Sequence, residues 1–351
     1  MKQIISGFDY VQPPIEQMTK EMKMVAERSR SYSNGKLLLT GEYVVLEGAT
    51  ALAVPTKFGQ DLVVSTIKET QLIWGSFTHT GECWFEAVFD LPKLRLVNAT
   101  FDSQSEGSSE LIAETLQNIL QEARNLNPDF LQSETGFFVR TNLTFPRDWG
   151  LGTSSTLLNN IAQWANIDAY QLLWNSFSGS GYDIANAQHN SPILYTLEKV
   201  TEQFDCAHYK LRRSQKPIVK TVEFNPEFSD QLYFVHLNKK QNSREGIAKY
   251  KENKSDIQQE IHRISEISLE MCVVKSLSDF ERLMDEHEQI ISKIIQLETV
   301  KERLFSDYDG SIKSLGAWGG DFILVTETHD TINYFKEKGY TTILKYKEMV
   351  L

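Results

Sequence analysis

Cysteine is scarce in this sequence: Cys83, Cys206 and Cys272 are the whole set in 351 residues, far apart and odd in number. Neither a disulfide framework nor a metal-ligand spacing can be built from them, so three reduced thiols in a cytoplasmic protein are expected. Long apolar runs are missing too. None approaches the ~18 residues that cross a bilayer, and no membrane association is expected. The N-terminus has no apolar core of the signal-peptide type. Basic residues are in deficit, with 36 Lys and Arg against 47 Asp and Glu and a formal net charge of −11. That disfavours a nucleic-acid partner, whose phosphates need a basic surface. It leaves room for a nucleotide, which main-chain amides and a few local cations can hold inside an acidic protein. No linker, repeat or low-complexity tract interrupts the chain.

What is present is an ordinary globular balance, 41% hydrophobic and 24% charged, in a length that suits two domains. Residues 37–39, 43–46 and 62–67 read as strands, 74–89 as strand-rich, and 136–143 and 232–237 as further strands. Residues 109–123 carry Ile112, Leu116, Ile119, Leu120 and Ala123 on one helical face behind a Ser-Ser cap. Helices are also read at 156–165 and 331–338, and a strand at 341–345. Two long stripes, Ile257 to Val274 and Phe280 to Ile294, keep three-and-four spacing, with His287 in the second. Strands and helices mix without regular alternation, which predicts two α+β domains, 32–229 and 230–351, with residues 1–31 outside the fold.

The chemistry concentrates in Trp149-Gly150-Leu151-Gly152-Thr153-Ser154-Ser155, a loop between a strand and an apolar helix. Gly150 and Gly152 let main-chain amides approach an anion, and the helix start offers unsatisfied N–H groups to the same point. Hydroxyls at Thr153, Ser154 and Ser155 add donors to phosphate and a ligand for a hard cation. The loop lacks the lysine of a Walker-type Gly-x-x-x-x-Gly-Lys-Ser/Thr loop. Taken alone, such a sequence is equally a tight turn with a good N-cap.

Two more Gly-rich segments alter that balance. One is Asn34-Gly35-Lys36-Leu37-Leu38-Leu39-Thr40-Gly41-Glu42-Tyr43, the other Lys313-Ser314-Leu315-Gly316-Ala317-Trp318-Gly319-Gly320-Asp321-Phe322. Together with the loop they resemble the three-motif layout of the galactokinase, homoserine kinase, mevalonate kinase and phosphomevalonate kinase (GHMP) superfamily, across most of the chain. The resemblance implies a ribosomal-protein-S5-like N-terminal α/β domain, a ferredoxin-like C-terminal domain, an active site in the interdomain cleft, and ATP with Mg²⁺. A fourth segment, Ser178-Gly179-Ser180-Gly181-Tyr182-Asp183-Ile184-Ala185, resembles an element whose aspartate faces the substrate hydroxyl in the mevalonate and phosphomevalonate branches.

By this resemblance Asp183 and Lys36 are the catalytic pair, with a structural ion pair as the plainer alternative. Residues 150–155 bind ATP phosphates, and Ser154 matches the Mg²⁺-binding serine. Glu42, Tyr43, Ser180, Gly181, Ser243, Arg244, Gly316, Ala317 and Gly319 fall at substrate-binding positions. Lys239, Lys240 and Arg244 suit a phosphorylated substrate, or else form a solvated basic turn. Gly41-Glu42-Tyr43, Gly179 to Ala185 and Gly319-Gly320-Asp321 favour the phosphomevalonate branch, so the expected reaction is 5-phosphomevalonate to its diphosphate. Mevalonate phosphorylation and a non-catalytic regulator on the same fold are the rivals. The expected partners are ATP and a small-molecule substrate, in a monomer or homodimer.

The sequence also departs from the pattern. Asn34 replaces a usual proline and Trp318 a usual glycine, Thr153 and Ser155 stand for Ser and Ala, and no carboxylate lies near Leu172, where mevalonate kinases carry a metal-binding glutamate. Among the histidines only His189, beside Asp183, draws attention, and a structural role accounts for it.

Overall fold

A computed structural model describes residues 2–5, 26–91, 93–102, 109–199, 203–205, 210–212, 215–239, 247, 250, 257–316, 318 and 320–351. They fall into two units, each assembled from several stretches of chain.

The first unit comprises Met1–Ser33, Phe58–Arg147 and Thr153–Gly179. Its strands are β1 (Lys2–Ile5), β2 (Ala26–Leu38), β3 (Ala51–Ile67), β4 (Gln71–Phe77), β5 (Cys83–Asp90), β6 (Arg95–Asp102) and β7 (Gly136–Leu143). Six of them lie in the order β1-β6-β5-β4-β7-β3, antiparallel except for the parallel pair β4 and β7, while β2 pairs with β3 off this path. Leu72, Ile73 and Trp74 of β4 are buried in succession, so this strand is covered on both faces. Helix α1 (Ser109–Leu126) buries Leu116, Ile119, Leu120 and Ala123 of the stripe that the sequence spacing predicts, with Ala113 buried where Ile112 was expected and Ile112 half-buried. Helix α2 (Thr153–Ala165) begins at Thr153, immediately after Gly152, and α3 (Ala169–Ser176) follows behind an Asp168 cap that accepts the Tyr170 amide at 2.7 Å.

Helix α2 also buries polar residues. Thr156 donates to the Gln60 side chain at 2.7 Å and Asn160 to the Gln60 carbonyl at 2.9 Å. The Ser33 hydroxyl donates to Asn160 at 2.8 Å and accepts from Asn159 at 2.9 Å. Each side chain is thereby satisfied away from water.

The second unit comprises Asn34–Lys57, Asp148–Gly152 and Ser180–Leu351. Its elements are α4 (Tyr182–Ala187), β8 (Ile193–Lys199), β9 (Gln203–Asp205), β10 (Lys210–Arg212), β11 (Gln215–Thr221), β12 (Leu232–His236), α5 (Gln258–Met271), α6 (Leu277–Ile295), α7 (Val300–Leu304), β13 (Ile312–Ser314), β14 (Phe322–Thr326), α8 (Thr331–Glu337), β15 (Ile343–Lys345) and α9 (Tyr346–Met349). Strand β3 runs through both units; its Ala51–Ala53 end pairs with β8, which pairs in turn with β11. A separate antiparallel sheet has the order β13-β14-β12-β15. Tyr233, Val235, Phe305, Tyr308, Ile323, Val325 and Phe335 form the core beside it. Helix α6 packs on α5 and on β13, and its buried stripe includes His287 and Glu288 among the apolar residues.

The α+β class stands as expected, but three local readings change. Lys2–Ile5 pairs with β6 and a strand begins at Ala26, so these parts of the expected tail belong to strands. Compactness does not divide at residue 230, because residues 34–57, 148–152 and 180–229 group with the C-terminal half. Val44–Glu47 is a 3-10 turn in place of a strand, entered through Tyr43 at φ 63° and left through Gly48 at φ 96°. Among the described residues no helix is long and apolar enough to cross a membrane.

Candidate active site

Gly150 and Gly152 adopt φ 66° and 92°, the left-handed region that glycine enters without strain. Between them Leu151 is fully buried, and its carbonyl accepts the Lys36 amide at 3.0 Å. That main-chain bond sets the end of β2 against the Gly-rich loop. Beyond Gly152 the chain enters α2, whose first turn holds Thr153 half-buried, Ser154 exposed and Ser155 buried. The leading N–H groups of such a helix have no partner within it.

The Lys36 ammonium lies 3.5 Å from a carboxylate oxygen of Asp183 and 5.6 Å from the centre of the Tyr182 ring. Burial works to lower its pKa, but Tyr182, Asp183 and Asp321 outweigh burial and hold it above its ordinary value. Burial, followed by the Asp183 charge, pushes the Tyr182 phenol up, so that group stays neutral. Asp183 stands in the first turn of α4, which starts from Gly181 at φ 88°. The Tyr195 hydroxyl bonds to the Ser180 carbonyl just before it. Asn34, in the place of a proline, donates to the His189 carbonyl at 2.9 Å and to the Asn190 side chain at 2.8 Å. It thereby fastens the Lys36 segment to the chain that leaves α4. His189 itself turns its Nδ1 to the Ala185 carbonyl at 2.6 Å, a local tie within the turn.

A cavity beside this pair has Lys36, Gly150, Gly316 and Asp321 on its walls with Trp149 and Phe322, which meet edge to face at 5.3 Å. It holds about 220 Å³ counting the space at its mouth. Gly316 has φ 67°. Trp318 has φ 52°, is buried, and among the described residues its indole N–H has no partner. Ala317 and Gly319 lie outside the described residues, as do Lys240, Ser243 and Arg244 of the expected substrate-side turn. Lys239 is exposed, and its carbonyl accepts the Asp321 amide.

Sequence reasoning did not pick out Asp321. The signal was present in Gly319-Gly320-Asp321, a carboxylate at the end of a Gly-rich turn, but it served there only as a branch marker.

Glu42 and Tyr43 have other surroundings than those expected of substrate-binding residues. Glu42 is fully buried, with one oxygen 2.9 Å from the Lys313 ammonium and the other 3.2 Å from His287 Nε2. Lys313 also donates to the Ser314 carbonyl at 3.0 Å and to Glu288 at 3.4 Å, while the Ser314 hydroxyl donates to Glu288 at 2.9 Å. The Gly41 amide donates to His287 Nε2 at 3.0 Å, which fixes that nitrogen as an acceptor in a neutral ring. Burial, with Lys313 nearby, drives the His287 pKa well down, in keeping with that tautomer. Tyr43 stacks on Tyr250 at 5.7 Å and has a positive φ of 63°, which is uncommon for an aromatic residue. The signal that would have given this cluster in advance is the polar pair His287-Glu288 inside an apolar stripe.

No protein-family model and no curated protein matches the sequence. Solved structures do match over nearly the whole chain. Methanococcus jannaschii mevalonate kinase has a TM-score of 0.58 at 16% identity, with 91% of this chain and 98% of that one covered. Streptococcus pneumoniae phosphomevalonate kinase, solved with phosphomevalonate and AMPPNP, has 0.58 at 16% identity over 91% and 100%. Lactococcus lactis galactokinase, solved with galactose, has 0.55 at 14% identity over 91% and 93%. At such identities the likeness is one of architecture, and the chain has the fold of the GHMP kinases.

Proposed function

We propose that this protein is an ATP-dependent small-molecule kinase and that its acceptor is 5-phosphomevalonate. One observation carries the reading: the buried Lys36 ammonium meets Asp183 at 3.5 Å while the Lys36 amide is bonded to the glycine loop. A carboxylate and a cation beside an anion-accepting loop are the parts that phosphoryl transfer needs. In the proposed reaction the acceptor hydroxyl oxygen bonds to the γ-phosphorus, the bond from that phosphorus to the β-phosphate oxygen breaks, and ADP leaves. The hydroxyl proton passes to the Asp183 carboxylate. Lys36 orients Asp183 and offsets the negative charge gathering on the transferred group.

Mg²⁺ takes hard oxygen donors and is commonly held by one or two carboxylates together with substrate phosphates. The carboxylates near Lys36, Asp183 and Asp321, fit that chemistry in kind. Among the described residues no group of three or more His, Cys, Asp or Glu suits a metal ion without the phosphates. When bound, the ion neutralises phosphate charge. The choice of acceptor is supported by the likeness of residues 41–43, 179–185 and 319–321 to phosphomevalonate kinases. Trp318, buried in the third Gly-rich segment, favours a second reading, a nucleotide-binding regulator without turnover.

The test is ADP release with mevalonate, 5-phosphomevalonate, homoserine and galactose as acceptors. Turnover of 5-phosphomevalonate is expected, with Asp183→Ala reducing the rate at least ~10²-fold at an unchanged melting temperature. Turnover confined to another acceptor defeats the substrate assignment. Tight Mg·ATP binding with no turnover of any acceptor supports the regulator.

A further inference from the structure

Opposite charges in a largely desolvated space attract each other strongly. A charge-assisted bond between an ammonium and a carboxylate settles at about 2.7–2.9 Å. The Lys36 side chain is only 13% exposed and that of Asp183 33%, yet their charged atoms stand 3.5 Å apart. Reach does not account for the gap, because the four-carbon stem of lysine is flexible. Something holds the pair open.

The group placed to do so is the phenol next to Asp183 in the chain. Tyr182 opens α4 directly after Gly181, whose φ of 88° turns the chain into the helix. The Ser180 carbonyl just before them is tied to the Tyr195 hydroxyl, which fixes where that turn begins. The Lys36 ammonium lies 5.6 Å from the centre of the Tyr182 ring. That separation is near the ~6 Å outer limit for a cation on a ring face, and it suits contact with the hydroxyl on the rim. The hydroxyl accepts from the Lys36 ammonium and donates to the Asp183 carboxylate. A neutral phenol does both at once, which neither a bare ring nor a phenolate can.

We propose that Tyr182 is a positioning residue whose hydroxyl keeps the Lys36–Asp183 pair from closing. The inference rests on the kinase reading above and adds to it the group that keeps both side chains available. A pair in direct contact would commit the lone pairs of Asp183 to the ammonium and weaken it as acceptor of the substrate proton. It would also draw Lys36 away from the charge gathering on the transferred phosphoryl group. With the phenol bonded to both, the carboxylate is stabilised without being capped, and 33% of its side chain stays accessible.

The experiment uses Tyr182→Phe, which removes the hydroxyl and keeps the ring. ADP release is measured with the acceptor that the wild type turns over, in the wild-type and the Asp183→Ala backgrounds. Crystal structures of the wild type and Tyr182→Phe are determined beside it. In the wild-type background kcat is expected to fall at least about tenfold with KM within about twofold, because the loss acts on the reaction step and not on binding. On top of Asp183→Ala the same substitution is expected to cost less than about twofold, since a group that acts through Asp183 has nothing left to position. The Lys36–Asp183 separation is expected to shorten from 3.5 Å to about 2.8 Å in the variant. Tyr182→Met also lacks the hydroxyl; it is expected to show the same loss of kcat and covers the case in which the phenylalanine variant does not fold. A kcat within about twofold of the wild type overturns the inference, as does an unchanged separation or an equal loss in the two backgrounds. Each of these leaves the kinase reading standing. A wild type that turns over no acceptor removes that reading and this inference with it.

Discussion

Lys313 is one cation between two fully buried carboxylates, and that imbalance has a measurable consequence. Its three N–H donors reach Glu42, Glu288 and the Ser314 carbonyl, so the ammonium is satisfied and charged. One of the two carboxylates then has no countercharge and is most cheaply buried as the acid. For Glu288 burial is the largest cause; the Glu42 charge adds to it, Lys313 and Ser314 oppose it, and the result is a pKa pushed up to about 7. In the unfolded chain the group returns to 4.5. Between these values the folded state keeps a proton that the unfolded state has lost. The stabilisation is therefore complete below about pH 4.5 and is lost as pH rises through about 7. At ~1.4 kcal/mol per pH unit this amounts to something on the order of 3 kcal/mol. Glu288→Gln keeps the shape and a donor for the cluster but cannot ionise. Urea unfolding of both proteins at pH 5, 6, 7 and 8 should show the variant gaining on the wild type by about 3 kcal/mol across that range. A difference between the two that stays constant with pH, within about 0.5 kcal/mol, would refute the reasoning.

Two further outcomes test other parts of the structure. Gly150→Ala must push aside the Asp321 carboxyl and hold alanine at φ 66°, so a loss of about 1–3 kcal/mol in thermal unfolding is expected, with at least tenfold weaker Mg·ATP binding by calorimetry. Arg263 meets Glu266, Glu270 and Glu286 at 3.1, 2.6 and 2.6 Å, but all four side chains are partly exposed. Arg263→Ala is therefore expected to change stability by only about 1 kcal/mol, with an effect that shrinks in 1 M salt.

Where local spacing and burial agree, the sequence is readable. The pattern of residues 136–143 predicts a strand, which is β7 to the residue, and the stripe of α6 buries the residues its spacing selects. The segment 43–46 shows the limit. Val44-Val45-Leu46 has strand-like composition, but Gly41 and Gly48, both at positive φ, fold it into a turn whose amides return to Gly41 and Tyr43. The alternation rule sees side chains and not the glycines that decide the path. The Lys36–Asp183 pairing is what the resemblance of their two segments to kinase motifs implies, and the two side chains lie 3.5 Å apart. The partners of Glu42 were out of reach, since a glutamate in a Gly-rich segment looks the same whether it faces a ligand or a lysine contributed by a distant strand. Asp321 was hidden for a similar reason: its meaning comes from Gly150, which only the folded chain sets beneath it.

The bond from Asn34 to His189 joins residues 155 apart in the sequence, and the bond from Lys313 to Glu42 joins residues 271 apart. Synthesis from the N-terminus delivers Lys36 early and Asp183 only midway, and the lysine that neutralises Glu42 emerges near the end. Until then a nascent chain would carry an uncompensated glutamate in a segment destined for the interior, so that segment should stay hydrated and unpacked on the ribosome. Such long-range closures are slow steps in folding, and recovery of ligand binding during refolding should trail the recovery of helical signal.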